Sequence, residues 1–158
     1  MESILLSKYA VASFTQAFLG LLITSYLLAS AKKDCSAWRL IMFFALLSIS
    51  MCSSFLLMAV HTPWRSWFGP VQGLVSLLSL VSMIQFAYTF PGGEVSVQSK
   101  RALVISLGLA AATFGVGAVY EDQQEIVIVW LGVITVGLSV WAWAVFALRT
   151  RMFTQDVL

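Results

Sequence analysis

Residues 126–148 read IVIVWLGVITVGLSVWAWAVFAL, a run of 23 residues without a charged side chain. A helix rises about 1.5 Å per residue and the hydrocarbon core of a bilayer is about 30 Å thick, so roughly 20 such residues cross it. The run is bounded by Glu125 on one side and by Arg149 on the other. It is therefore predicted to be a transmembrane helix.

Upstream of this run the sequence repeats the same pattern. Polar or turn-forming segments cut it into further apolar runs, and none of these runs is interrupted by a charge in its interior. The five predicted helices cover residues 9–30, 38–60, 70–90, 102–120 and 126–148. The fold is predicted to be all-α: a polytopic membrane helix bundle of five transmembrane helices, forming a single membrane domain over residues 1–158 with a tail at residues 149–158.

The composition excludes several classes of protein. Of 158 residues, 60% are hydrophobic and 10% are charged, whereas charged residues make up about a quarter of an average soluble domain. Five spans use about 100 residues, which leaves little of this chain for a soluble catalytic domain. A net charge of +2 is too small to suggest a nucleic-acid partner. The two cysteines, Cys35 and Cys52, are read as free thiols because a helix would hold them far apart.

The positive charges predict the orientation, because short loops rich in Lys and Arg stay in the cytoplasm. Seven cations fall on one set of loops and two on the other. The larger set consists of Lys32, Lys33, Arg39, Lys100, Arg101, Arg149 and Arg151, and the smaller set of Lys8 and Arg65. The N-terminus is therefore predicted to lie outside and the C-terminus in the cytoplasm.

The spans offer no chemistry for catalysis or ion transport. No lysine lies within a span to hold a Schiff base, the carboxylates fall in loops or tails, and His61 is the only histidine. Intramembrane charges usually mark ion and proton pathways, so a proton-coupled transporter, a retinal pump and a haem protein are all disfavoured. Nucleophile, phosphate-loop and metal-binding motifs are also missing from the sequence. The chain is predicted not to be an enzyme and to carry no cofactor or metal.

Small residues recur at helical spacing in two of the predicted spans. Such faces allow helices to approach closely, either within one chain or between chains. The predicted helix-packing residues are Ser13, Ala17, Gly20 and Thr24 in the first span, and Gly108, Ala112 and Gly115 in the fourth. The sequence does not distinguish packing within the chain from a homodimer or a larger membrane complex.

Three amide side chains stand out among the uncharged polar residues of the spans. Gln16, Gln72 and Gln85 are candidates for lining a small ligand pocket, since a few polar groups in an apolar cavity can orient a ligand. The alternative is hydrogen bonding between helices, which contributes roughly 0.6 kcal/mol per bond on average and needs no ligand.

The end of the third span carries a resemblance to a known family. Residues 84–91 read IQFAYTFP, an aromatic helix end closed by Phe-Pro. The segment resembles the end of the third helix in the N-terminal seven-helix sensor regions of bacterial histidine kinases, nucleotide cyclases and related phosphatases. This chain departs from that family in having five spans and no effector domain within its 158 residues. The resemblance implies a sensor module in the bacterial inner (plasma) membrane.

Two functions are consistent with these features. The first is a signal-input module that passes helix rearrangement to a cytoplasmic effector, either attached beyond the last helix or bound as a separate protein. The second is a small accessory or assembly subunit of a larger integral membrane complex. Membrane lipids are expected partners in both cases.

Overall fold

The structure, a computed structural model, describes residues 8–30, 34–59, 65–91, 96–119 and 124–157. Within these residues the chain forms five α-helices: α1 (Lys8–Ser30), α2 (Cys35–Ala59), α3 (Arg65–Thr89), α4 (Val97–Val119) and α5 (Gln124–Val157). Each helix contains a stretch long and apolar enough to cross a membrane. The predicted all-α fold with five membrane-compatible helices is confirmed. Lys32, Lys33, His61, Glu121 and Asp122 lie outside the described residues.

Helices α2 and α4 begin earlier than hydropathy predicts, because polar residues cap their first turns. The backbone N–H of Ala37 donates to the Asp34 carboxylate at 2.6 Å, and the N–H of Ser99 donates to Ser96 Oγ at 3.1 Å. Such bonds satisfy N–H groups that have no partner within the helix. Helix boundaries predicted from hydropathy omit these polar first turns. The predicted start is therefore three residues late for α2 and five residues late for α4.

Helix α5 differs most from its predicted range, since it continues through the predicted tail to Val157. Residues 149–157 contain no Gly or Pro to end the helix. The two basic residues Arg149 and Arg151 are therefore part of α5. Helix α3 also starts early, at Arg65, although its membrane-compatible stretch begins at Val71, directly after Pro70.

The chain divides into two compact units, the first made of residues 1–31 and 41–79. Its buried face on α1 consists of Ala10, Ala17, Gly20 and Thr24. A Cβ added to Gly20 would overlap the Ser48 hydroxyl of α2, so this glycine allows the two helices to approach closely. The rings of Phe14 and Phe55 lie 5.4 Å apart between the same helices.

Hydroxyl and amide side chains join α2 to α3 within this first unit. Ser50 and Ser76 share a hydrogen bond of 2.6 Å, and Gln72 Nε2 donates to Ser54 Oγ. Water is not available within the hydrocarbon of a bilayer, so polar side chains there need partners in the protein. The bonds between α2 and α3 supply such partners.

The second unit consists of residues 32–40 and 80–158. Helix α4 packs on α5, and its buried face is lined by small residues: Ser99, Ala102, Ser106, Ala110 and Thr113. Helix α5 contributes the buried Leu138 and Ala142. The small side chains of α4 allow a neighbouring helix to approach closely.

Candidate functional site

A cluster of hydrogen-bonded polar residues in the second unit joins the first turns of α2, the last turns of α3 and the start of α4. We call it the Arg39 cluster. Its members are Ser36, Arg39, Gln85, Thr89 and Ser99. All but Arg39 are buried, and Arg39 is half-buried.

Gln85 and Ser99 form the centre of the cluster. Gln85 Nε2 donates to the carbonyl oxygen of Ser99 at 3.1 Å, and Gln85 Oε1 accepts from Ser99 Oγ at 2.9 Å. Both polar atoms of the amide are thus paired, which a buried amide requires. The pair ties the end of α3 to the start of α4.

Arg39 extends the cluster to α2 through a single nitrogen. Its Nη1 donates to the carbonyl oxygen of Gln85 at 2.9 Å and to Ser99 Oγ at 3.2 Å. Hydrogen bonds from an ionised donor are roughly twice as strong as neutral ones. One guanidinium nitrogen therefore connects three helices at one point.

Thr89 completes the connection one turn further along α3. Its hydroxyl donates to the carbonyl oxygen of Gln85 at 2.9 Å, and its own carbonyl accepts from Ser36 Oγ at 3.0 Å. The last turn of α3 is thus bonded to the first turn of α2. These contacts hold the helix ends together and position no nucleophile beside a base.

Aromatic residues of the same α3 turns contact α5. The Phe146 ring lies 6.2 Å from the Phe86 ring and 5.3 Å from the Phe90 ring. Trp141 Nε1 donates to the Tyr88 hydroxyl at 3.3 Å. Offset and tilted ring pairs at these distances are favourable. The end of α3 therefore contacts α2 and α4 through polar groups and α5 through aromatic ones.

The three predicted pocket amides have different surroundings. Gln16 is exposed on α1, Gln72 is half-buried and donates to Ser54, and Gln85 is buried in the Arg39 cluster. The hydrogen bonds of Gln72 and Gln85 match the alternative considered from sequence, in which the amides pair between helices. The ligand pocket stays a prediction.

The predicted packing residues also divide into two groups. Ala17, Gly20 and Thr24 are buried on α1 and Ser13 is half-buried beside them. On α4, by contrast, Gly108, Ala112 and Gly115 are exposed, because the helix turns the opposite, Ser- and Ala-lined face inward. A Cβ added to Gly108 or Gly115 would meet nothing within 4 Å.

Of the five members of the cluster, sequence reasoning named only Gln85 as a candidate site residue; it missed Ser36, Arg39, Thr89 and Ser99. Arg39 was assigned only to the set of cytoplasmic charges, and Ser99 fell before the predicted start of the fourth helix. A signal was available for Arg39, because a cation one residue inside an apolar span must find polar partners. Among the residues described here, no group of three or more His, Cys, Asp or Glu could hold a metal.

Comparison with known proteins yields no match: no protein-family model, no curated protein and no solved structure is similar to this chain. The fold and the Arg39 cluster define it as a multi-pass helical membrane protein whose polar residues join helices. The resemblance of residues 84–91 to bacterial sensor regions stays a prediction.

Proposed function

We propose that the chain is a membrane-embedded signal-input module, with its N-terminus outside and its C-terminus in the cytoplasm of a bacterial cell, in the inner membrane. The helix that transmits the signal is α5, which runs without interruption from the apolar segment to Val157. Its recipient is a cytoplasmic effector, attached or separate. A rigid helix that leaves the membrane can carry small rotations or shifts to such a partner.

One observation carries the proposal: the last turns of α3 contact both the Arg39 cluster and α5. Gln85 and Thr89 face the cluster, whereas Phe86 and Phe90 face Phe146. A displacement of α2 or α4 that shifts this end of α3 is therefore expected to displace α5 as well, because packed side chains transmit strain.

The experiment places a reporter on the exposed end of α5. Cys35 and Cys52 are replaced by Ser, and Thr154→Cys is labelled with a trifluoromethyl group in the full chain in lipid nanodiscs. Gln85→Leu, which removes the amide from the cluster, is expected to shift the ¹⁹F resonance of the label. The matched control is Thr113→Val, whose hydroxyl bonds only to Leu109 within α4.

Phe146→Ala serves as the second half of the test. In that background the contact between α3 and α5 is reduced, so Gln85→Leu is expected to produce a smaller shift. A Gln85→Leu spectrum identical to that of the unsubstituted chain would mean that the cluster does not act on α5, and the proposal would fail.

A second candidate function is that of an accessory subunit within a larger membrane complex. The exposed face of Gly108, Ala112 and Gly115 favours it, since small residues allow a partner helix to approach. The intact mass of the native assembly, extracted in mild detergent, separates the two candidates. A stable complex with other integral membrane chains supports the subunit, whereas a homodimer, alone or with a cytoplasmic effector, supports the signal-input module.

A further inference from the structure

A cavity in the second unit lies beside the last turns of α3, the start of α4 and the C-terminal part of α5. Its volume is about 470 Å³. The described residues that line it include three polar ones, Tyr88, Gln98 and Arg149, and an apolar set: Pro91, Val145, Leu148, Met152 and Phe153. Among the described residues that line the cavity, none is acidic.

The position of Arg149 along α5 places the cavity at a membrane boundary. Arg149 directly follows the 23 uncharged residues of 126–148, and about 20 residues suffice to cross the hydrocarbon. Its guanidinium therefore lies at the depth of the lipid headgroups, whichever way the chain is oriented. Val145, one turn earlier, lies on the hydrocarbon side.

The polar part of the cavity is suited to an anion. In the part of the chain that the structure describes, no carboxylate or carbonyl accepts a hydrogen bond from the half-buried Arg149. The planar guanidinium matches a phosphate group, to which it can donate two hydrogen bonds. Gln98 adds an exposed amide, and the Tyr88 hydroxyl accepts from Trp141 while keeping its own proton to donate.

The apolar part of the cavity distinguishes a lipid from a free anion. Leu148 is exposed, and with Val145 it extends from Arg149 toward the hydrocarbon. Inorganic phosphate would leave this surface uncovered, whereas an acyl chain would cover it. Lys100 and Arg101 lie exposed close to Gln98 on α4, and further cations favour an anionic over a neutral lipid.

From these observations we infer that the cavity binds the headgroup of an anionic phospholipid, with Arg149 pairing with the phosphate and Val145 and Leu148 contacting the first part of an acyl chain. The inference concerns a binding site and does not depend on the proposed signalling function.

Native mass spectrometry of the detergent-purified full chain tests it, with phosphatidylglycerol as the anionic probe and phosphatidylcholine as the neutral one. Arg149→Gln is expected to weaken phosphatidylglycerol binding about tenfold, the loss of one charge-assisted contact. Arg151→Gln is the matched control: it removes the same charge from an exposed position of α5 that does not line the cavity. It is expected to change binding by less than about twofold.

Gln98→Leu provides a second variant on a different helix. It removes a neutral donor from an exposed position, and binding is expected to weaken about threefold. This variant keeps the inference testable even where Arg149→Gln lowers the yield of folded protein.

Three outcomes would overturn the inference. Equal losses in Arg149→Gln and Arg151→Gln would indicate general charge attraction. Equal binding of phosphatidylcholine and phosphatidylglycerol would indicate an apolar groove without headgroup recognition. Displacement of the lipid by millimolar inorganic phosphate would identify the site as one for free phosphate.

Discussion

The amide of Gln85 and the serine Ser99 exchange two hydrogen bonds, from Nε2 to the Ser99 carbonyl at 3.1 Å and from Ser99 Oγ to Oε1 at 2.9 Å. Both residues are buried. Because Ser99 Oγ also accepts from Arg39, one hydroxyl serves two neighbours on different helices. The Ser99 hydroxyl of α4 therefore bonds to side chains of both α2 and α3.

Ser99→Ala is predicted to destabilise the chain by about 1–3 kcal/mol, because it leaves Gln85 Oε1 buried without its donor. The measurement is unfolding in mixed micelles as the fraction of sodium dodecyl sulfate rises. Ser139→Ala is the matched control, since that hydroxyl bonds only to Thr135 within α5. It is expected to cost less than about 0.5 kcal/mol. Equal effects of the two substitutions would contradict the role given to Ser99.

Gly20→Ala is predicted to separate α1 from α2. The added Cβ would overlap the Ser48 hydroxyl, which is itself bonded to the Phe44 carbonyl at 2.7 Å. Overpacking of this kind costs about 1–3 kcal/mol. Gly108→Ala is the control: it introduces the same group where nothing lies within 4 Å, and it should be neutral or stabilising by up to about 1 kcal/mol.

Ser48→Ala is expected to restore part of the stability of Gly20→Ala, because it removes the atom with which the new Cβ collides. The double substitution is compared with each single one in the same unfolding assay. Purely additive effects would show that Gly20 and Ser48 do not limit the approach of the two helices.

The number and approximate positions of the spans could be predicted from sequence because they depend on one property, the length of uncharged apolar runs. The buried face of α1 could also be predicted from sequence, because Ala17, Gly20 and Thr24 are small residues on a helix whose other positions are mostly large. The exposed face of that helix, with Phe18, Leu19 and Leu22, is too bulky for close packing.

Helix α4 shows where such reasoning fails. Small residues occur all around it, with Ser99, Ser106 and Ala110 on one face and Gly108, Ala112 and Gly115 on the other. Because both faces carry small residues, their spacing does not predict which of the two faces is buried. The choice depends on Gln85 of α3, which bonds to Ser99 and so turns the serine face inward. That contact lies between helices and has no local signal in the sequence.

For Gln85, the need for a hydrogen-bond partner could be predicted from sequence, but the identity of that partner could not. Its position in an apolar span identifies it as a residue that needs a polar partner. The partner could not be named, because Lys100 and Arg101 lower the hydropathy around Ser99 and move the predicted start of α4 past it. The cap by Ser96 explains why the helix nevertheless includes Ser99.

Phe146→Ala is predicted to loosen α5 from the end of α3. Phe146 contacts Phe86 and Phe90, and each aromatic pair contributes about 0.5–1.5 kcal/mol beyond its buried area. Limited proteolysis after Arg149 and Arg151 in nanodiscs should become faster. Phe114→Ala removes an exposed ring from α4 and is the control. Unchanged cleavage in Phe146→Ala would contradict the proposed attachment of α5.

Arg39→Leu separates the role predicted for this cation in orienting the chain from its hydrogen bonds between helices. The orientation is predicted to persist, because six cations on the cytoplasmic set still outweigh the two outside. Stability is predicted to fall by about 1.5–3 kcal/mol, since Nη1 no longer donates to Gln85 and Ser99. Arg39→Lys should recover only part of this loss, because an ammonium lacks the planar geometry of the guanidinium.

Arg101→Leu is the control for Arg39→Leu, as it removes a cation of the same set from an exposed position. Labelling of a cysteine introduced at position 154 with a membrane-impermeant reagent, from either side, reports the orientation, and detergent unfolding reports the stability. Both variants should keep the wild-type labelling pattern, and only Arg39→Leu should lose stability. If Arg39→Leu inverted the chain, the predicted orientation would be contradicted. If Arg101→Leu were equally unstable, the loss of stability in Arg39→Leu could not be assigned to the hydrogen bonds of Arg39.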